Sequence, residues 1–204
     1  MLKNILNNNQ LELLPLIKEF SREFYLVGGT AIALHLGHRQ SIDFDLFKKK
    51  QLNKKKIIDK VENHFKKYST LYMESNQLHL LINNVKVTFF EYGFDVPHKI
   101  KFKNIATMPS LIDLAAMKAY AIGSRAKWKD YVDLYFILKN NITFDEIANR
   151  GLEIFGNLFS KKLFRQQLCY FKDIDHTEEI IFVGKNISEI EVKEYLTEIA
   201  LKPF

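Results

Sequence analysis

The chain has 204 residues, 47% of them apolar, and a formal charge of +6. That is enough for one packed domain, or one α/β domain with a helical appendage, and the basic balance suits nucleotide or nucleic-acid partners. A single cysteine, Cys169, excludes an internal disulfide and a multi-cysteine zinc site, and no apolar run reaches the roughly 18 residues that a membrane span needs. The polar, Asn-rich start, Met1-Leu-Lys-Asn, is unlike a signal peptide, so a cytoplasmic protein without membrane contact is expected.

In chain order, Leu11–Phe20 has helical spacing interrupted by Pro15, and Glu23–Val27 is a short β-rich run. Gly28-Gly29 follow that run and precede a helix over Thr30–Leu36, which Gly37 ends. Ser41–Phe47 alternates and predicts a strand. It carries Asp43 and Asp45 at i and i+2, hence on one face, with Ile42, Phe44 and Leu46 on the other. Two neighbouring carboxylates are costly to ionise together unless a cation sits between them, and Mg²⁺ is the natural partner of paired Asp oxygens and phosphates. A glycine turn at a helix N-terminus, with the Thr30 hydroxyl, is a place for phosphate. Alone, Gly-Gly is equally a turn that needs glycine for geometry. The combination points to phosphoryl chemistry on a nucleotide.

Lys48–Lys56 is the densest basic run, either a solvated loop and helix start or an electrostatic lip for a polyanion. An amphipathic helix follows over Asn53–Tyr68, with Ile57, Ile58, Val61 and Phe65 on one face. Strands are expected over Thr70–Glu74, Leu78–Ile82 and Val85–Tyr92, with Asn83-Asn84 as a hairpin turn, and short edge segments over Lys99–Phe102 and Asn104–Ala106. From Pro109 the pattern is helical: Pro109–Gly123, Lys127–Lys139, Thr143–Phe155 with a capping box at its start, Ser160–Phe171 and Ser188–Ile199. The chain divides into an α/β half, 1–107, and a helical half, 108–204, packed as one body. Cys169 reads as an inert buried thiol in a helix. His35 and His38 share a helix face without a third ligand, a poor zinc site. Tyr131, Tyr135 and Phe136 are either core or a base-stacking surface.

Gly28-Gly29, thirteen residues, then Asp43-Phe-Asp-Leu46 resembles the nucleotidyltransferase superfamily with the DNA polymerase β-like fold. The fuller string from His38 to Leu46, with Lys118 and the Lys129-Asp-Tyr-Val-Asp133 segment, resembles the branch of AbiEii/AbiGii-type and MenT-type toxins over about residues 24–136. The resemblance implies an α/β (α+β) fold, a mixed sheet with flanking helices plus a C-terminal helical subdomain. It implies an enzyme moving an NMP from an NTP to RNA, such as a tRNA end, or to a protein hydroxyl, with a cognate antitoxin as partner. Asp43 and Asp45 would hold Mg²⁺, two ions about 3.5–4 Å apart. Gly28, Gly29 and Thr30 would seat phosphates, and Arg39 and Ser41 would position the triphosphate or brace the loop. Lys118 would offset charge on the pyrophosphate, and Asp130 would orient Lys118 or Arg125, or cap a helix. One departure stands out. A third carboxylate is expected on the strand Val85–Tyr92, yet Thr88 stands where that acid would be, and Glu91 falls on the opposite face. Transfer to a small molecule such as an aminoglycoside, and a catalytically weak nucleotide-binding module, are the alternatives.

Overall fold

The computed structural model describes residues 2–123 and 126–202. Helices α1 (Leu2–Ile5) and α2 (Asn8–Glu19) lead into β1 (Tyr25–Val27), α3 (Gly28–Leu36) and β2 (Phe44–Lys48). Then come α4 (Lys54–His64), β3 (Tyr68–Glu74), β4 (Gln77–Ile82), β5 (Val85–Glu91) and the small ribbon β6 (Ile100–Phe102) with β7 (Ala106–Met108). The helical half holds α5 (Leu111–Ile122), α6 (Trp128–Lys139), α7 (Phe144–Phe155), α8 (Lys161–Leu168) and α9 (Glu189–Leu201).

Helix starts follow local chemistry. Asn7, Ser110 and Thr143 each accept a hydrogen bond from the N3 backbone N–H of α2, α5 and α7, and Gln10, Asp113 and Glu146 reciprocate. Asn83 and Asn84 both adopt positive φ, 50° and 59°, as a tight hairpin between β4 and β5 demands.

The sheet runs β1-β2-β5-β4-β3 and is mixed. β2 and β5 are parallel, and the other pairs are antiparallel. A parallel pair needs a crossover, supplied here by α4 and the β3–β4 hairpin. Alternation then sorts the faces. Phe44 and Leu46 of β2, Val87 and Phe89 of β5, and Leu78 and Leu80 of β4 are buried. Phe20 and Phe24 pack edge-on against Phe89, closing that layer. The other face carries Asp45, Lys86, Thr88 and Phe90 and looks toward α3, α5 and α6. One continuous hydrophobic core includes residues of both halves.

The helix expected over Asn53–Tyr68 stops at His64, and Tyr68 opens β3; two further expectations change. The strand expected over Ser41–Phe47 begins only at Phe44. The Asp43 carbonyl is taken by the side chains of Thr30 and Gln10, and the Ser41 N–H by Ile5, so 41–43 are held by side chains and α1 instead of a ladder. Ile42 is accordingly 53% exposed. Cys169, expected to be buried, is exposed. α8 ends at Leu168 after burying Phe164 and Leu168, and the next residue turns away from the core.

Between α8 and α9 the segment 170–187 crosses the molecule as a strap. Asp175 exchanges backbone hydrogen bonds with Ala126 and Trp128, Gln40 donates to Ile181, and Val183 donates to His38. The strap thus ties the loop before β2 to the start of α6.

Candidate active site

Asp43 and Asp45 face a cleft of about 550 Å³ between the sheet and α5–α6. Gly28, Gly29, Lys86, Thr88, Lys118, Lys127, Lys129 and Asp130 also line it, and Phe47, Phe90, Tyr92, Phe94 and Tyr120 form its apolar end. A smaller recess beside it is lined by Gly29, Arg39, Ser41, Asp43, Asp45, Lys129 and Glu178. Eight of the nine residues singled out in the sequence therefore border one site, and Thr30 lies just beneath it.

The glycines make room. Gly28 has φ +70°, and a Cβ there would lie 2.1 Å from Asp45 Oδ2. A Cβ on Gly29 would lie 2.4 Å from an Arg39 guanidinium nitrogen. The Asp45 carboxylate and the Arg39 side chain thus press on bare backbone. Gly28→Ala should cost about 1–3 kcal/mol through strain and overpacking and push Asp45 aside. A lowered melting temperature together with reduced nucleotide transfer is the expected result, and unchanged values of both would contradict it. α3 begins at these glycines, which line the cleft, and Val27 provides no side-chain cap for the first backbone N–H groups of the helix.

Thr30 is buried. Its hydroxyl meets Ser41 Oγ at 2.8 Å and donates to the Asp43 carbonyl, so it holds the acidic loop from below. Arg39 also braces. Nε and Nη2 donate to the two oxygens of Asp133 at 2.7 and 2.9 Å, and Nη1 donates to the Gln40 carbonyl. Lys118 donates to Asp130 Oδ1 at 2.7 Å and lies 3.0 Å from Asp133 Oδ2, and His38 Nε2 lies 2.8 Å from Asp133 Oδ1. Asp133 is completely buried. Burial alone would raise its pKa, but Arg39 and Lys118 outweigh burial and hold it well below the usual carboxylate range. Burial likewise pulls Lys118 down, and Asp130 and Asp133 reverse that, so the ammonium stays charged. Asp130 meets Lys118, one of its three expected roles. Arg125, the alternative partner, lies outside the described residues.

Asp45 goes the other way. Burial, then the charge of Asp43, raises its pKa, with Lys86, Lys129 and a hydrogen bond from Thr88 as partial offsets. A carboxylate so placed gains most from a cation. Lys86 Nζ stands 3.1 Å from Asp43 Oδ2 and Lys129 Nζ 4.0 Å from it. Glu178, on the strap, pairs with Lys127 at 2.5 Å and with Lys129. Burial pushes Glu178 up, but the hydrogen bonds from these two lysines bring it down to about 2.

Thr88 sits directly opposite Asp45 in the parallel ladder, and the register runs without a bulge to Lys48–Glu91. The position of the expected third acid is therefore held by a hydroxyl, and Glu91, three residues on and paired with Lys48, borders the cleft without standing opposite Asp45 in the ladder. His35 bonds to the Pro109 carbonyl while His38 serves Asp133, so the two histidines part. Tyr131 and Tyr135 are buried core residues. None of Lys48–Lys56 lines the cleft. Lys48 and Lys56 pair with Glu23, and Lys49 with Asp95.

Sequence reasoning missed Lys86, Lys127 and Glu178. Lys86 shares its strand face with Thr88, so alternation could have found it. Glu178 had no signal, because the strap has no periodicity.

Residues 16–180 match the family described as the nucleotidyl transferase AbiEii toxin of a type IV toxin–antitoxin system. The chain belongs to the AbiEii nucleotidyltransferase toxin family. An uncharacterized protein of Aquifex aeolicus (strain VF5) is 32% identical over 186 residues, 85% of this chain and 88% of that one. Among solved structures, the nucleotidyltransferase toxin MenT4 of Mycobacterium tuberculosis H37Rv superposes with a TM-score of 0.65 at 13% identity, over 95% of this chain and 82% of its own. JHP933 from Helicobacter pylori gives 0.52 at 16% identity, over 70% and 71%. These likenesses establish the nucleotidyltransferase fold, and the family match establishes the enzyme class. The AbiEii family spans both the acidic loop before β2 and the strap as far as Glu178.

Proposed function

We propose that this AbiEii-family enzyme uses Mg²⁺ to transfer an NMP from an NTP to a hydroxyl of RNA, such as a tRNA end, or of a protein, and that a cognate antitoxin restrains it. The observation that carries this reading is the meeting, in one cleft, of paired carboxylates, an uncapped helix N-terminus and several lysines.

The donor set fits the ion. Asp43 and Asp45 offer hard carboxylate oxygens, and burial together with the neighbouring Asp43 charge disfavours ionisation of Asp45, which a cation would relieve. Bound there, Mg²⁺ supplies Lewis-acid stabilisation of charge on the α-phosphate. The chain's residues do the rest. Gly28 and Gly29 present backbone N–H groups to phosphate oxygens, with the α3 N-terminus behind them. Lys118, kept charged by Asp130 and Asp133, and Lys127 and Lys129 at the cleft mouth offset charge on the departing pyrophosphate. Arg39, Thr30 and Ser41 keep the acidic loop in place. The Phe90–Tyr92–Phe94 end takes the apolar body of a base. The acceptor hydroxyl gives up its proton to solvent as its oxygen bonds to the α-phosphorus and the bond to pyrophosphate breaks.

The test is incubation of purified protein with each α-labelled NTP, Mg²⁺, and total cell RNA or protein in separate reactions. Label on one acceptor class, lost with Asp43→Ala, is the expected result. No transfer with any NTP, alongside growth inhibition unaltered by Asp43→Ala, would refute it. Thr88 in place of an acid favours a second reading, a nucleotide-binding module with feeble turnover. Mg²⁺-dependent NTP binding without transfer is its mark.

A further inference from the structure

A two-ion site needs enough oxygen donors to bridge the ions and complete two octahedra. Besides Asp43 and Asp45, the acids lining this cleft are Asp130, which is bonded to Lys118, and Glu91, and among the described residues no cluster of three His, Cys, Asp or Glu side chains is placed to hold a metal. The position opposite Asp45, on the neighbouring parallel strand, carries the Thr88 hydroxyl. One pleat away on the same face of β5 stands Lys86, with its ammonium 3.1 Å from Asp43 Oδ2.

We propose that the site takes a single divalent cation, between Asp43 and Asp45, and that the Lys86 ammonium supplies the second positive charge. This rests on the nucleotidyltransferase reading above and replaces the pair of ions that the sequence resemblance implies.

The geometry separates Lys86 from the other lysines. Lys118 is committed to Asp130 and Asp133, and Lys127 and Lys129 are both engaged by Glu178. Among the described residues, Asp43 is the only acid that Lys86 pairs with. Its side chain is 36% exposed and lines the cleft, so it is within reach of a bound substrate. A second ion at Asp43 would have to displace this ammonium or sit against it, and like charges at such distances repel strongly in a partly buried site. A lysine is a compact point charge with three donors, able to bond one carboxylate oxygen and a phosphate oxygen together. It brings charge without needing a third acid to hold it. The hydroxyl at Thr88 and the lysine at 86 thus belong together.

The test counts ions. Mn²⁺ is titrated into the full chain carrying a stoichiometric NTP analogue with a non-hydrolysable α,β bridge, and free Mn²⁺ is read by electron paramagnetic resonance against the analogue alone. One bound ion per wild-type chain is expected. Lys86→Gln should still bind one ion but lose activity by about a hundredfold, the scale for removing one transition-state charge contact. Lys86→Arg should restore part of it, which a bracing role for the side chain would not require. Lys86→Asp should raise the count toward two. Two ions on the wild type, or unchanged turnover for Lys86→Gln, would overturn the proposal while leaving the nucleotidyltransferase reading intact. No bound ion on the wild type would overturn both.

Discussion

Asp133→Ala should destabilise the protein by about 3–5 kcal/mol, the cost of removing one partner from a buried ionic cluster. In a domain of this size that corresponds to a fall in melting temperature on the order of 10 °C. The reason is the company Asp133 keeps. Arg39 holds both of its oxygens, and His38 and Lys118 touch it as well, all of them nearly or wholly removed from water. Without the carboxylate, two cations remain buried with Asp130 as the chief anion near them. The pH dependence follows in sign. Asp133 has a lowered pKa in the fold, so its contribution is complete above the ordinary aspartate range, about 4, and is lost progressively as pH falls below that range. Acid titration of thermal stability should show this loss in the wild type and a flatter profile in Asp133→Asn. Equal acid sensitivity of the two proteins would contradict the hub assignment.

Asp45→Asn should do the reverse: abolish transfer while leaving stability equal or higher. The raised pKa of Asp45 means that the fold resists its charge, first through burial and then through Asp43. A neutral isostere removes that resistance. Ionising Asp45 therefore costs stability, and a bound cation offsets that cost. Loss of a metal-holding carboxylate removes several kcal/mol of transition-state stabilisation, a fall of about a thousandfold or more. Calorimetry and label transfer on the same preparation decide the matter. A variant that is both inactive and markedly unstable would make Asp45 a structural acid.

The fold was largely legible because its elements announce themselves by period and punctuation. Asn83-Asn84 fixed the hairpin, Thr143 with Glu146 fixed the start of α7, and alternation fixed β4 and β5. Where tertiary contacts replace local pattern, the reading failed. Ser41–Asp43 alternate like a strand, yet Thr30, Gln10 and α1 supply their hydrogen bonds. Cys169 falls one residue past the end of its helix. In the site, Asp43 and Asp45 stood out because a period of two puts chemistry on one face. Arg39 was legible as a basic residue near phosphate chemistry, but its partner Asp133 lies far along the chain, so its bracing contact came only from the fold. Lys127 and Glu178 meet through a strap without pattern, which no local rule could align.

That strap also sets a clock. The loop carrying Gln40 leaves the ribosome early, whereas Glu178, Ile181 and Val183, which tie this loop to α6, emerge more than a hundred residues later. At ordinary rates of synthesis, about 5–20 residues per second, the delay is roughly 10–30 s. Arg39 and His38 wait first for Asp133, and the acidic loop then waits longer for its strap. The acidic loop of this fold is therefore braced from both sides only after the strap has been made.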